Sequence, residues 1–239
     1  MKIHFSNKVI IALSALLFCQ SAMAVTLPTP EKYVDLNHPL ETGMQTYPGL
    51  SDVEIYKTAP RYANGALIDG IKFLGISATY IDSPYHADEK GMKISDYPLE
   101  KLVNLPVIVV KLAPGSDVFD VSAFRNLNVK GKAVLLNTGK SKVFGTAEYS
   151  KNPPYMTTEA ANWLVSNQAA LVGIDALLVD NFNKNDTIPV HDILLKHGIV
   201  IAEDMTNLEA VAGKDAYLTA VPPRAPMASF PARIYAAIY

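Results

Sequence analysis

The sequence predicts an α/β fold, one domain built around a single mixed sheet, and three observations carry that prediction. Short apolar and β-branched runs recur at 33–36, 52–57, 66–82, 106–112, 132–137, 171–175 and 199–203. Two amphipathic stretches interrupt them, Thr157 to Gln168 and Pro189 to Gly198. Strands and helices alternate without a strict β-α-β rhythm, and no repeat or low-complexity linker divides residues 25–239, so one domain is expected.

The N-terminus reads as an export leader rather than a buried helix. Lys2 and Lys8 give a basic start, Val9 to Phe18 is apolar but too short to span a bilayer, and Ala22-Met23-Ala24 supplies a small-x-small cleavage site. Residues 1–24 are therefore expected to be removed, leaving a chain that starts at Val25. Cys19 does not suit lipidation, because the bulky Phe18 precedes it. Loss of the leader takes two lysines and no acid, so the formal charge moves from −2 to −4. That mild acidity offers no footprint for nucleic acid, and no membrane segment is expected in the mature form. The only cysteine leaves with the leader, so no disulfide or thiolate is expected, which points to a bacterial periplasm or the secreted space.

The runs from 106 to 112 ("PVIVVKL"), 132 to 137 ("KAVLLN") and 171 to 175 ("LVGID") are strand-like. Between the last two, Thr157 is a suitable N-cap, Glu159 lies at the positive end of the helix dipole, and Ala160, Ala161, Leu164 and Val165 form a stripe at helical spacing. For the second helix, Pro189 suits a first turn and Gly198 a C-terminal cap.

Beyond the leader the chain holds four histidines, His38, His86, His191 and His197. His197, beside Gly198, fits a solvated helix end. A helix from 191 to 197 advances roughly 10 Å at about 1.5 Å per residue. The strand from 199 to 203 returns roughly 13 Å at about 3.3 Å per residue. A reversal at Gly198 would therefore bring Glu203 level with His191, an imidazole and a carboxylate suited to a cation such as Zn²⁺ or Mn²⁺, although a capping histidine and a solvated glutamate fit the same spacing. Asp82 and His86 flank Pro84, which forbids a regular helix and lets a turn aim both side chains one way.

Taken together these segments resemble the cyclase family, the metal-dependent hydrolases that include bacterial kynurenine formamidases and isatin hydrolases. The blocks that carry the likeness are "YVDLNHPLETGMQTYPG" (33–49), "VLLNTG" (134–139), "LVGIDALLVD" (171–180), "HDILLKHGIVIAEDMTNL" (191–208) and "FPARIYAAI" (230–238). The family motif His-x-Gly-Thr-His-x-Asp-x-Pro-x-His falls on residues 76–86. Thr79, Asp82, Pro84 and His86 match it, whereas Ile76, Ala78 and Tyr80 stand where the family has histidine, glycine and histidine.

The resemblance implies a swivelling β/β/α type of fold and a small-molecule substrate. It implies Asp82, His191 and Glu203 as ligands of one divalent metal ion, Zn or Mn, with His86 as base. It also implies a homodimer or homotetramer. Tyr47, Tyr80 and Tyr85 are candidates to line a substrate pocket, Tyr80 equally as core filler, and His38 reads as a structural hydrogen-bonding residue. Two readings stay open: a hydrolase of a cyclic or linear amide or a lactone, and a binding or scaffolding protein that kept the fold and lost the metal.

Overall fold

A computed structural model describes residues 28–44, 47–57, 65–184 and 187–239; the expected leader lies outside them. The strands are β1 (Lys32–Asp35), β2 (Glu54–Lys57), β3 (Asp69–Lys72), β4 (Tyr80–Asp82), β5 (Leu105–Lys111), β6 (Val118–Phe119), β7 (Ala133–Asn137), β8 (Tyr155–Met156), β9 (Leu171–Ile174), β10 (Val200–Glu203), β11 (Ala216–Thr219), β12 (Ser229–Pro231) and β13 (Tyr235–Ile238). Among the described residues two α-helices accompany them, α1 (Thr158–Ser166) and α2 (Pro189–Lys196).

Nine strands form one mixed sheet in the order β1-β13-β11-β5-β7-β9-β10-β4-β12. Its centre, β5-β7-β9-β10, is parallel, and antiparallel strands flank it on both sides. The sheet curls. Just past β1, Leu36 accepts from Thr206 at 3.0 Å and donates to Ile234 at 2.8 Å, and Asn37 bridges Met205, so one edge of the sheet returns to the segment that follows β10.

Side-chain alternation along the central strands sorts two cores. Ala133, Leu135, Leu171, Val200 and Ala202 face inward onto Leu36, Ile81, Leu218 and Ile234. Val134, Leu136, Val172, Ile174 and Ile201 face the other way, against Ala160, Ala161 and Leu164 of α1 and Val190, Leu194 and Leu195 of α2. Each such buried leucine or isoleucine contributes roughly 1.5–3 kcal/mol relative to exposure. Both helices sit where the sequence puts them: the Thr157 hydroxyl accepts from Ala160 N–H at 3.1 Å, and Gly198 follows the end of α2 with φ at +70°.

One expected strand does not form as a unit. Residues 66–82 divide into β3, paired only with β2 in a separate hairpin, and the short β4 in the main sheet. The break is a turn through Gly75 to Thr79. At Gly75 a Cβ would meet the Ser229 carbonyl oxygen at 2.4 Å, so only glycine fits this close approach, and Ala78 holds φ at +53°, outside strand geometry. Among the described residues no helix is long and apolar enough to cross a membrane.

Candidate metal centre

β4 and β10 lie antiparallel side by side, and their ends deliver the polar side chains into the fold. Asp82 closes β4 and Glu203 closes β10, both fully buried. The Pro84–His86 turn follows β4 and brings His86 back over Asp82, with Nδ1 3.9 Å from Asp82 Oδ1. α2 contributes His191 from its first turn, and β10 returns Glu203 beside it as helix and strand lengths require.

His191 is oriented by Asp180, a residue the sequence did not single out as functional. One Asp180 oxygen accepts from Val190 N–H at 2.8 Å. The other accepts from His191 N–H at 3.0 Å and lies 2.6 Å from His191 Nδ1. Asp180 thus caps α2 and also takes the Nδ1 proton of its histidine. Nε2, for which a cation would compete with a proton, then faces two buried carboxylates, Asp82 Oδ2 at 3.7 Å and Glu203 Oε1 at 3.4 Å. Burial opposes a charge on His191, but the Glu203 carboxylate and the Asp180 hydrogen bond outweigh it and hold the ring well above its ordinary titration range. Burial likewise raises Asp82.

This constellation fits a cation. Asp82 Oδ2 is buried without a hydrogen-bond partner, an arrangement that is costly unless something positive completes it. Asp82, His86 and His191 each offer a ligand atom, all within 4.8 Å of one another. A carboxylate behind the distal nitrogen of a histidine is the usual support of a metal-binding imidazole. Asp82 and His191, a carboxylate and an imidazole, suit Zn²⁺ or Mn²⁺, and His86 stands at the edge of the same group.

Glu203 is bound more tightly by the protein itself. Oε1 accepts from Val179 N–H and Oε2 from the Tyr80 hydroxyl, both at 2.6 Å. Tyr80, where the family motif has histidine, is buried with its ring in the core and its hydroxyl on this carboxylate. Burial, reinforced by the charge of Glu203, pushes that phenol far above its ordinary value. Ile76 lies in the turn before β4.

The other sequence-selected residues fall around this centre. Tyr47 packs edge-on against Phe182, at 5.8 Å between centroids, in the loop that leads to α2. Tyr85, beside His86, carries Lys93 Nζ over its ring at 4.8 Å. The His38 N–H donates to Thr79 at 2.8 Å and its ring stacks on Phe144 at 3.8 Å. His197 ends α2, with Nδ1 2.7 Å from the Ile193 carbonyl. A cavity of about 710 Å³ lined by His38, Met44, Pro48, Phe144 and Tyr149 is connected to the centre's neighbours by one hydrogen bond. The link is Tyr149, whose hydroxyl donates to the buried Asp204 next to Glu203.

Three comparisons agree with this architecture. The chain is 27% identical over 194 residues to a kynurenine formamidase of Bacillus cereus (strain ATCC 10987), covering 80% of this chain and 90% of that protein. It superposes on an isatin hydrolase bound to the product analogue thioisatinate with a TM-score of 0.76 at 19% identity, covering 87% of this chain and 92% of that one. It also superposes on a potential metal-dependent hydrolase with cyclase activity with a TM-score of 0.73 at 24% identity, covering 87% and 98%. The family model described as "Putative cyclase" matches residues 34–181, more than half of the sequence. With its curled mixed sheet and its Asp-x-Pro-x-His turn, the chain belongs to the cyclase family.

Proposed function

We propose that this protein is a metal-dependent hydrolase that opens a cyclic or linear amide, or a lactone, as its kynurenine formamidase and isatin hydrolase relatives suggest. The observation that carries the reading is His191, whose Nδ1 is held by Asp180 while Nε2 faces Asp82 and Glu203. Asp82 and His191 would hold one divalent cation, Zn or Mn, with Glu203 against His191 on the other side. When bound, such a cation supplies Lewis-acid polarisation of a carbonyl and makes water more acidic.

The chain's own residues do the rest. His86 is part-exposed, with 30% of its side chain open, and stands at the mouth of the buried group. It takes a proton from water as the oxygen adds to the acyl carbon, then returns it to the nitrogen or oxygen that leaves when the acyl bond breaks. Asp180 keeps His191 in one tautomer throughout. Tyr80 and Val179 fix Glu203, so its carboxylate does not swing. Tyr47 against Phe182 offers an aromatic edge for a ring-bearing substrate. The leader pattern supports export to the periplasm or beyond, and the family resemblance supports a homodimer or homotetramer.

Purified without chelators, the protein should carry about one equivalent of Zn or Mn by mass spectrometry, lost in Asp82→Ala. It should hydrolyse at least one of N-formylkynurenine, isatin and a simple lactone. No metal after reconstitution overturns the proposal. Stoichiometric metal without turnover of any of the three overturns the hydrolase assignment for these substrate classes, whereas absent metal favours the binding-protein reading, in which Tyr80 satisfies Glu203 without a cation.

A further inference from the structure

Ser229 is buried on β12 directly opposite Asp82 on β4, so both side chains leave the same face of the sheet. Its hydroxyl donates to Asp82 Oδ1 and also lies 3.3 Å from His86 Nδ1. Proton counting fixes the direction of this chain of contacts. An ionised carboxylate only accepts, and a serine hydroxyl has one proton, which goes to Oδ1. The approach of His86 Nδ1 to the serine oxygen is then attractive only if Nδ1 carries the ring proton. Asp82 Oδ1 is thereby taken, Oδ2 remains free, and His86 keeps its lone pair on Nε2.

We propose that Ser229 is a positioning residue, whose hydroxyl bridges His86 and Asp82 and so fixes His86 as the Nδ1–H tautomer. The role within catalysis rests on the hydrolase reading above; the bridge itself does not. It makes His86 a base at Nε2 and, once that nitrogen has gained a proton, lets Asp82 stabilise the imidazolium through the serine without direct contact.

The backbone holds Ser229 for such a task. The preceding Ala228 carbonyl accepts from both Ser83 N–H at 2.9 Å and the Ser83 hydroxyl at 2.8 Å. On the other side the Ser229 carbonyl is approached so closely by Gly75 that a Cβ there would sit 2.4 Å away. A side chain clamped in this way has little freedom to leave its two partners.

The test is ¹⁵N NMR of the histidine rings in metal-free protein, at about pH 8 where an ordinary imidazole is neutral, on wild type, Ser229→Ala and Ser229→Thr. Wild type should show His86 protonated on Nδ1. Ser229→Ala should shift it toward the Nε2–H form, and Ser229→Thr, which keeps the hydroxyl, should restore Nδ1–H. With a substrate in hand, kcat of Ser229→Ala should fall on the order of 10-fold or more, in keeping with a lost supporting hydrogen bond, while KM stays within about two-fold. A wild-type His86 protonated on Nε2, or an alanine variant with an unchanged tautomer, overturns the proposal. Because the spectra need neither metal nor turnover, they decide the bridge even if no hydrolysis is found, and hydrolysis with the wrong tautomer leaves the hydrolase reading standing alone. Should Ser229→Ala fail to fold, the wild-type and threonine spectra still decide between the two tautomers.

Discussion

Asp180→Asn is the sharpest test of the centre, because it changes one atom of a side chain that makes three contacts. The asparagine carbonyl can keep one backbone donor, the Val190 N–H now bound at 2.8 Å. Its amide nitrogen cannot accept from His191 N–H or from Nδ1–H, which today share the other oxygen at 3.0 and 2.6 Å. Two acceptor contacts are lost, one of them charge-assisted, and His191 is free to move its proton to Nε2, where a ligand lone pair is needed. Loss of such a carboxylate behind a metal-binding histidine costs about 10–100-fold in metal affinity. The same range is about 1.4–2.7 kcal/mol of binding free energy. The metal-free protein should also lose on the order of 2 kcal/mol of stability, since a charged hydrogen bond contributes about 1.5–3 kcal/mol. Chelator competition with Zn²⁺ measures the first and urea unfolding in EDTA measures the second. An affinity within two-fold of wild type, in a variant that is folded, would refute the claim that Asp180 sets the tautomer of a ligand.

Other perturbations probe separate parts of the site and the fold. Tyr80→Phe removes the donor to Glu203 Oε2 and leaves a buried carboxylate oxygen unpaired, so urea unfolding should show a loss of about 1–3 kcal/mol; no loss would mean that water replaces the hydroxyl. Gly173→Ala should destabilise by roughly 1–3 kcal/mol, because its Cβ would meet Met205 Sδ at 2.4 Å and Leu135 Cδ2 at 2.8 Å, and the thermal midpoint should fall accordingly. Ala78→Gly should be nearly neutral in urea: relief of the positive φ gains about 1–2 kcal/mol, offset by about 0.8 kcal/mol for the buried methyl and 0.4–1 kcal/mol of unfolded-chain entropy. His38 is lowered from 6.5 to about 4 by burial, so the unfolded chain binds its proton more readily than the folded one. Its contribution is fully present above about pH 6.5, is lost as pH falls towards about 4, and is on the order of 1 kcal/mol for a ring that is only part-buried. Wild type should therefore lose more stability than His38→Gln between about pH 7 and pH 4.5; equal losses would exclude a buried neutral imidazole.

What could be read from the sequence was whatever is local or periodic. β7, β9 and β10 are apolar up to the polar residues Asn137 and Glu203 that end β7 and β10, because both faces are covered, and no competing structure buries such runs as well. α1 announces itself through Thr157 and its stripe. Asp82 and His86 are visible because Pro84 ties them together, and the pairing of His191 with Glu203 follows from the lengths of one helix and one strand. Asp180 and Ser229 were not visible. Asp180 caps α2 from ten and eleven residues upstream of the N–H groups it accepts, outside any capping pattern a sequence window contains. Ser229 acts across 147 residues on Asp82, and a serine at the start of an edge strand carries no mark of that. The run from 66 to 82 looked like one strand because its residue types favour strands. The interruption at Gly75 and Ala78 depends on how closely β12 approaches, which only the assembled sheet decides.

Tyr80 shows how a substitution that looks like a loss becomes intelligible once the neighbours are known. Replacing a histidine motif position with tyrosine removes a nitrogen donor, and by itself would strand the carboxylate of Glu203 in the core. A buried carboxylate without partners is costly, so the chain must neutralise it or bind it. Here the phenol does so from the adjacent strand, one residue directly across from the other in the β4–β10 ladder, while Val179 N–H takes the second oxygen. Glu203 therefore no longer depends on a cation for its partners, whereas Asp82 Oδ2 still has none. The protein's own hydrogen bonds thus divide the two carboxylates into one that is complete and one that is waiting, and this division is the physical reason to expect a single cation, on the Asp82 side of His191.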